Sequence, residues 1–287
     1  MYEIGWLSTG RDKAARDLLK VVYDNIKEGK LANLKISFIF SNRGGGETKE
    51  SDLFFELARN LGIEVISFSS GSFSPELRER GLREEKRGES RLIEDWRRLY
   101  DREIMKRAGR FRPHLLVLAG YMLILGGEIC QRYSIINLHP ALPQGPRGTW
   151  QEVIWKLIEG GSDKTGVMIH LVTPELDAGP PLTYCRFPIR GGKFDLLWQR
   201  MEEKLKKRSL KEISEEEGEN EPLFQEIRRE GVKRELPLMV HTLKLLSEGK
   251  LKVKGRRVFQ KGKIISGLPV DREICNPSEN NVWENQK

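Results

Sequence analysis

Along the first half of the chain, short apolar segments of strand-like composition alternate with amphipathic segments of helical periodicity. The strand-like segments are Ile4–Ser8, Leu34–Phe40, Glu64–Phe68 and His114–Ala119. The last of these is apolar at nearly every position, which predicts a central strand buried on both faces. Such alternation requires parallel strands joined by right-handed helical crossovers. The chain is therefore predicted to be α/β, with a doubly wound, mainly parallel sheet.

The sequence after residue 180 predicts smaller additions to this sheet. A strand, three helices and a terminal hairpin are expected over Leu182–Ile189, Phe194–Lys207, Phe224–Arg234, Pro237–Glu248 and Leu251–Phe259. Residues 69–90 are predicted to form an exposed loop that has room for one helical turn. Residues 208–222 carry a dense run of charges, which predicts a solvated insertion. We predict one domain over residues 1–270 with a C-terminal helix and β-hairpin appendage, and a disordered tail over 271–287.

Composition narrows the range of partners and compartments. The formal net charge of +8 favours anionic partners such as nucleic acid or phosphorylated metabolites, although a basic surface without a specific partner explains it equally well. The three cysteines form no CxxC motif, which predicts a reducing compartment and argues against a disulfide framework or a zinc site. No apolar run approaches the ~20 residues of a membrane span. Met1 leads directly into a strand, so we expect a cytoplasmic protein without a signal peptide.

Polar side chains of complementary chemistry follow two apolar runs between residues 135 and 180. Asn137 and His139 end the first run, and being two residues apart they share one face of a strand. Asp177 follows the second run. An amide can polarise a carbonyl, and an imidazole beside a carboxylate can transfer protons. These residues suit acyl transfer to an external amine, but Asn-x-His-Pro is also an ordinary way to end a strand.

Three sequence blocks resemble the 10-formyltetrahydrofolate-dependent formyltransferases. They are Val117–Met122 (VLAGYM), Asn137–Pro143 (NLHPALP) and Leu176–Pro180 (LDAGP), and their order and spacing also match. The resemblance extends over roughly residues 1–267 and is nearest to the branch that formylates 5-phosphoribosylglycinamide in purine biosynthesis. It implies that the fold is of the formyltransferase type, that 10-formyltetrahydrofolate is the formyl donor, and that no metal takes part.

The resemblance also implies roles for individual residues. Asn137 would polarise the formyl carbonyl, His139 would transfer protons, and Asp177 would raise the pKa of His139. The donor pocket would be formed, largely through backbone groups, by Tyr121, Met122, Leu123, Ile124, Leu125, Thr173, Pro174, Glu175 and Leu176. Arg91 is a further candidate for the donor pocket, and a surface charge at a helix start is an equal alternative.

The loop after the first strand departs from the family pattern. A glycine-rich loop that holds the acceptor's phosphate on a helix N-terminus is here Thr9-Gly10-Arg11-Asp12, with a single glycine. These four residues are the predicted acceptor site. The acceptor is expected to be a small, phosphorylated amine. An amino-sugar nucleotide is the alternative acceptor, and a non-catalytic nucleic-acid-binding relative is a further alternative motivated only by net charge. The sequence does not predict the oligomeric state.

Overall fold

The computed structural model describes residues 1–274, and the rest of the predicted tail lies outside the described residues. Contacts divide the chain into two compact units, both discontinuous in sequence. The first unit comprises Met1–Asn137, Leu171–Gly179 and Leu243–Lys263, and the second comprises Leu138–His170, Pro180–Thr242 and the residues from Ile264 onward. The single domain over residues 1–270 stays a prediction.

Strands and helices alternate up to residue 139, as the sequence predicts. They are β1 (Tyr2–Leu7), α1 (Lys13–Lys27), β2 (Leu34–Ser41), α2 (Lys49–Asn60), β3 (Val65–Ser67), α3 (Pro75–Glu85), α4 (Arg91–Arg107), β4 (Leu115–Leu118), α5 (Gly127–Arg132) and β5 (Ile135–His139). In the first unit β1 pairs in parallel with β2 and β4, β2 with β3, and β4 with β5. The strand order is therefore β3-β2-β1-β4-β5, and all five carboxyl ends lie at one edge.

An aromatic cluster packs α4 against the sheet of the first unit. The ring of Tyr100 stacks on Trp96 at 5.1 Å and on Phe68 at 5.4 Å between centroids. The Tyr100 hydroxyl donates a hydrogen bond to the Phe68 carbonyl, and Trp96 Nε1–H donates to the Phe73 carbonyl at 2.8 Å. Large buried aromatic side chains contribute much of the apolar area in a core. This packing holds α4 close behind the loops that follow β3 and β4.

The remaining elements belong mainly to the second unit. They are α6 (Trp150–Glu159), β6 (Lys164–Leu171), β7 (Pro181–Pro188), α7 (Asp195–Leu205), α8 (Leu210–Glu216), α9 (Pro222–Ser247), β8 (Leu251–Lys254), β9 (Arg257–Gln260), β10 (Lys263–Ile265), β11 (Leu268–Pro269) and α10 (Asp271–Ile274). Strand β7 pairs antiparallel with β6 and parallel with β11, while β8 and β9 form a separate antiparallel hairpin. The predicted α/β fold class with mainly parallel strands and a terminal hairpin is confirmed.

Residues 208–222 differ from the solvated insertion that their charges predict. Helix α8 begins with a capping box in which Ser209 and Glu212 bond each other's backbone N–H groups. Ile213 is fully buried and joins the core of the second unit. Glu221 is also buried, where it accepts hydrogen bonds from Lys204 Nζ at 3.0 Å and from the Phe224 N–H at 2.8 Å. Burial of Ile213 and pairing of charged side chains such as Glu221 therefore stabilise this segment.

Three further segments are more ordered than the sequence predicts. Helix α3 lies in the predicted exposed loop, and α9 continues through Pro237 where two helices are predicted. Leu238 and Met239 are fully buried beside Pro237, so packing offsets the cost of proline in a helix interior. Asp271–Ile274, the first residues of the predicted tail, form α10, and Asp271 accepts hydrogen bonds from the Arg186 backbone N–H and guanidinium.

Candidate active site

Polar residues follow the carboxyl ends of the first three strands of the parallel sheet. Thr9 follows β1, Asn42 follows β2 and Ser70 follows β3. All three side chains are nearly fully buried. Buried polar groups need hydrogen-bond partners, so these residues are expected to bond one another. In parallel α/β sheets this edge is also where ligands bind.

The buried polar residues form one network that connects the loops. Thr9 Oγ1 donates to Asn42 Oδ1 at 2.7 Å and accepts from the Met122 N–H at 2.9 Å. Asn42 Nδ2 donates to Ser70 Oγ at 3.2 Å. The Thr9 N–H donates to the Gly120 carbonyl at 3.1 Å. Thr9 is a predicted acceptor-binding residue, yet its hydroxyl holds the loops after β2 and β4 in place.

The loop after β4 contains the first group of predicted donor-binding residues. It begins at Gly120, whose φ of +68° favours glycine. Tyr121 and Leu125 point into the core, while Met122 and Ile124 expose 44% and 36% of their surface. Leu123 is half-buried. The loop therefore presents apolar side chains at the edge of the sheet, together with its own backbone groups.

Tyr121 contributes to this loop by packing. Its ring lies 6.5 Å from that of Phe40, and burial raises the pKa of its phenol well above 10. The hydroxyl is buried without a hydrogen-bond partner among the described residues. Its side chain faces the core, so a donor contact at this position would be made by the backbone.

The loop over residues 172–179 contains the second group of predicted donor-binding residues. Thr173 Oγ1 donates to the Glu175 carbonyl at 2.9 Å, Pro174 and Glu175 are exposed, and Leu176 exposes 48% of its surface. A Cβ built at Gly127 would lie 3.7 Å from Pro174 Cγ, so this loop reaches the end of the loop after β4. The structure thus brings together the two predicted donor-binding loops of the first unit.

Asp177 ends this loop in a conformation that few residue types adopt. Its φ is +50°, in the left-handed region that Asp and Asn tolerate best among residues with a side chain. It is half-buried. Two residues later, a Cβ at Gly179 would lie only 1.7 Å from the Leu171 carbonyl oxygen, so only glycine fits. Asp177 is therefore presented on a tightly shaped turn.

Asn137 and His139 lie at the carboxyl end of β5. Asn137 is half-buried, pairs with Leu118 of β4 and is the last residue of this part of the first unit. His139 is buried in the second unit, with Nε2 2.9 Å from the Pro146 carbonyl oxygen. A carbonyl can only accept, so Nε2 carries the proton. His170 lies edge-on to this ring at 6.0 Å between centroids. The catalytic roles of Asn137, His139 and Asp177 stay predictions.

Thr9 connects the loop over residues 9–12 to other loops, whereas Arg11 and Asp12 make local contacts. Gly10 has a φ of +63°, and a Cβ there would lie 2.9 Å from Phe54. Asp12 caps α1, because its Oδ1 accepts from the Ala15 N–H at 2.9 Å. The Arg11 guanidinium lies 3.3 Å from the other carboxylate oxygen of Asp12. The first turn of α1 therefore already holds an anionic group, where the resemblance implies a phosphate.

Three polar residues of the site escaped the sequence predictions, namely Asn42, Ser70 and Asp101. Asn42 and Ser70 each lie two residues after the end of a predicted strand, and that position was an available signal. Asp101 lies on the buried face of α4 with Trp96, Tyr100 and Ile104. A carboxylate on the apolar face of a predicted helix was the signal in this case. Arg91, in contrast, is exposed at the first position of α4, and its role stays a prediction.

Neither a metal-binding cluster nor a membrane-spanning helix is found among the described residues. Among residues 1–274, no group of three or more His, Cys, Asp and Glu side chains is arranged to hold a metal ion. None of the helices described is both long enough and apolar enough to cross a membrane.

Comparison with known proteins places these loops in a family. The family model described as formyl transferase matches residues 46–211, which is more than half of the 287 residues. Phosphoribosylglycinamide formyltransferase of Escherichia coli (strain K12) is 27% identical over 177 residues, covering 61% of this chain and 69% of that protein. The Schizosaccharomyces pombe protein of the same name is 34% identical over 100 residues, covering 32% of this chain and 48% of that protein.

A solved structure shows the same fold. Phosphoribosylglycinamide formyltransferase from Coxiella burnetii, in complex with CHES, has a TM-score of 0.61 at 21% identity, covering 93% of this chain and 98% of that chain. The family match includes β4, β5 and both loops with exposed apolar residues, whereas the loop at residues 9–12 lies outside it. The chain belongs to the formyl transferase family.

Proposed function

We propose that this protein transfers a formyl group from 10-formyltetrahydrofolate to the primary amine of 5-phosphoribosylglycinamide, a step of purine biosynthesis. The proposal rests mainly on which residues of the chain the family model matches. Residues 46–211 contain Asn137, His139 and Asp177 together with both predicted donor-binding loops. Relatives named phosphoribosylglycinamide formyltransferase support the choice of acceptor.

The two donor loops fit the chemistry of a folate. Met122, Ile124 and Leu176 are large apolar side chains that are exposed to solvent. Apolar side chains beside backbone N–H and C=O groups suit a flat heteroaromatic ring with polar edges. We infer that loops 120–126 and 172–177 bind the pterin end of the donor.

In the proposed reaction the acceptor's amine nitrogen bonds to the formyl carbon, and the bond from that carbon to N10 of the folate breaks. The amine loses one proton and N10 gains one, so a relay between them completes the balance. Asn137 would donate a hydrogen bond to the formyl oxygen as negative charge develops on it. His139 would carry the proton, oriented by its bond to the Pro146 carbonyl, and the Asp177 carboxylate would favour the imidazolium form.

An amino-sugar nucleotide is the second candidate acceptor, and one observation favours it. The Asp12 carboxylate occupies the first turn of α1 and places negative charge where a terminal phosphate would bind. Arg11 beside it offsets part of this charge. An acceptor whose phosphates lie elsewhere would avoid the repulsion. The charges of loop 9–12 are therefore expected to decide which of the two acceptors binds.

The test measures release of the folate product from 10-formyl-5,8-dideazafolate by absorbance, with phosphoribosylglycinamide, with a uridine diphosphate amino sugar, and with no acceptor. Release that depends on phosphoribosylglycinamide supports the proposal. Release only with the amino sugar transfers the assignment to that acceptor, and release without any acceptor indicates hydrolysis of the donor. Absence of both release and donor binding contradicts the formyltransferase function.

A further inference from the structure

Asp101 is a buried carboxylate on α4 that the proposed chemistry does not use. Only 2% of its surface is exposed, and it lies on the helix face that packs into the aromatic core. Aspartate is rarely buried to this extent unless it is paired or hydrogen-bonded. Its position therefore requires a specific partner.

That partner is the backbone of the loop after β4. Asp101 Oδ2 accepts a hydrogen bond from the Gly126 N–H at 2.5 Å. A Cβ built at Gly126 would lie 2.8 Å from the same oxygen, which is too close for any other residue without a shift. Gly126 has a φ of −81° and a ψ of 177°, which any residue adopts, so a side chain here would displace the Asp101 carboxylate without straining the backbone. The Asp101 carboxylate therefore lies in close contact with the backbone of the loop.

The loop is held at its other end by Thr9. The hydroxyl of Thr9 accepts from the Met122 N–H at 2.9 Å, and Leu123, Ile124 and Leu125 lie between the two attachment points. Side chains from two separate elements thus determine the path of the loop. Burial of Tyr121 and Leu125 also holds the loop, whereas Met122 and Ile124 between them are exposed.

We propose that Asp101 is a positioning residue, whose hydrogen bond to Gly126 holds loop 120–126 in the shape that binds the formyl donor. The inference deepens the proposed function and depends on it for the identity of the ligand. Asp101 acts through the loop, and it is the loop that contacts the donor.

The surroundings of Asp101 make this hydrogen bond sensitive to pH near neutrality. Burial raises the pKa of Asp101 to about 7, the Gly126 hydrogen bond lowers it in part, Glu128 raises it and Arg97 lowers it. The other titratable groups that sense this carboxylate are Tyr100, Tyr121 and Cys130. A carboxylate accepts more strongly than a carboxylic acid. The attachment of the loop should therefore weaken as the pH falls below about 7.

The test compares two substitutions of Asp101 with a control on the same helix. Asp101→Ala removes the acceptor, Asp101→Asn keeps an uncharged acceptor, and Asp95→Ala removes an exposed carboxylate that pairs with Arg98. The Kd of 10-formyl-5,8-dideazafolate is measured by fluorescence titration. We expect Asp101→Ala to raise it by about tenfold or more, since a hydrogen bond to a charged group is lost. Asp101→Asn should change it by less than about threefold, and Asp95→Ala should leave it unchanged.

The pH dependence separates positioning from a general structural role. The donor Kd of the wild type should rise between pH 8 and pH 6 by more than that of Asp101→Asn, because only the wild type loses a charge at this site. The KM for the acceptor should be the same in all variants. An unchanged donor Kd in Asp101→Ala would overturn the proposal, as would identical pH profiles for the wild type and Asp101→Asn. If Asp101→Ala fails to fold, the pH comparison decides.

A further measurement tests the positioning role of Asp101 even if the protein does not bind the donor. If the wild type does not bind the donor analogue, hydrogen exchange in loop 120–126 is compared between the wild type and Asp101→Asn at pH 6 and pH 8. Faster exchange at the lower pH in the wild type alone, after correction for intrinsic exchange, supports the positioning role. Equal protection in both proteins overturns it.

Discussion

Two loops at the same edge of the parallel sheet are held in opposite ways. The loop over residues 120–126 is attached by Thr9 and Asp101, whose partners lie 113 and 25 residues away along the chain. In the loop over residues 9–12, Thr9 is bonded to the first loop, whereas Arg11 and Asp12 are held locally by the α1 cap of Asp12, only three residues from its partner. The first lies within the family match and the second lies outside it. Long-range attachment leaves little freedom to change a loop, whereas a locally organised loop can change its ligand without disturbing the fold.

The largest effect is expected from Asp177→Asn, which tests whether Asp177 acts in the chemical step or in donor binding. Asp177→Asn keeps a residue type that tolerates the φ of +50°, so the turn should be preserved. We expect kcat to fall by ~10² or more, as removal of a positioned acid–base group does. The donor Kd should remain unchanged. The measurement is steady-state kinetics with both substrates varied.

Asp95→Asn is the control for Asp177→Asn, since it removes an exposed carboxylate from the same unit. Near-normal kcat in Asp177→Asn would remove this residue from the mechanism. A higher donor Kd with normal kcat would make Asp177 part of the binding loop instead.

A smaller effect is expected from substituting Thr9, which lies in loop 9–12 and is hydrogen-bonded to loop 120–126. Thr9→Val leaves the Met122 N–H and Asn42 without their partner in a buried network. The free energy of unfolding should fall by about 1–3 kcal/mol, the usual cost of a buried unsatisfied group. The donor Kd should rise as well. Both are measured, the first by urea denaturation.

Thr9→Ser is the matched variant, because it retains the hydroxyl and loses only a methyl group. It should lie much closer to the wild type than Thr9→Val in both measurements. Equal losses in the two variants would show that the methyl group, and not the network, supports the loop.

The smallest effect is expected at the acceptor loop itself. Asp12→Ser keeps a residue that caps a helix and removes a negative charge from the first turn of α1. If a phosphorylated acceptor binds there, its KM should fall by about two- to fivefold, the scale of a charge at a helix terminus. The donor Kd should not change.

Asp17→Asn is the control for Asp12→Ser, because Asp17 is exposed on the same helix and pairs with Lys13. An acceptor KM that stays constant or rises in Asp12→Ser would place the acceptor's phosphate away from α1. That outcome would also strengthen the case for a different amine acceptor.

The central strands of the sheet could be predicted from the sequence. The apolar runs that form β4 and β5 are continuous, so their strand character and central position are visible without a structure. Gly120 has a φ of +68°, which favours glycine, and Gly179 leaves no space for a Cβ, so both glycines fit the turns in which they lie. Local periodicity and steric restriction act within a few residues, and for that reason they can be read from the chain.

Sequence reasoning failed where packing decides between local alternatives. The helical state of α8 depends on burial of Ile213, and the continuity of α9 through Pro237 depends on burial of Leu238 and Met239. Charge density and proline are strong local signals against these structures. Tertiary contacts outweighed both, because burying apolar side chains contributes more than helix propensity does.

The sequence by itself determined the α/β class, the alternation of strands and helices through β5, and the polar residues that follow the ends of the strands. These properties follow from hydrophobic periodicity and turn chemistry, which are local. Only the tertiary structure decided that Thr9 bonds Asn42 and Met122, and that Asp101 bonds Gly126. Those contacts join residues far apart in the chain, and buried polar groups select partners only after the surrounding apolar surfaces have packed.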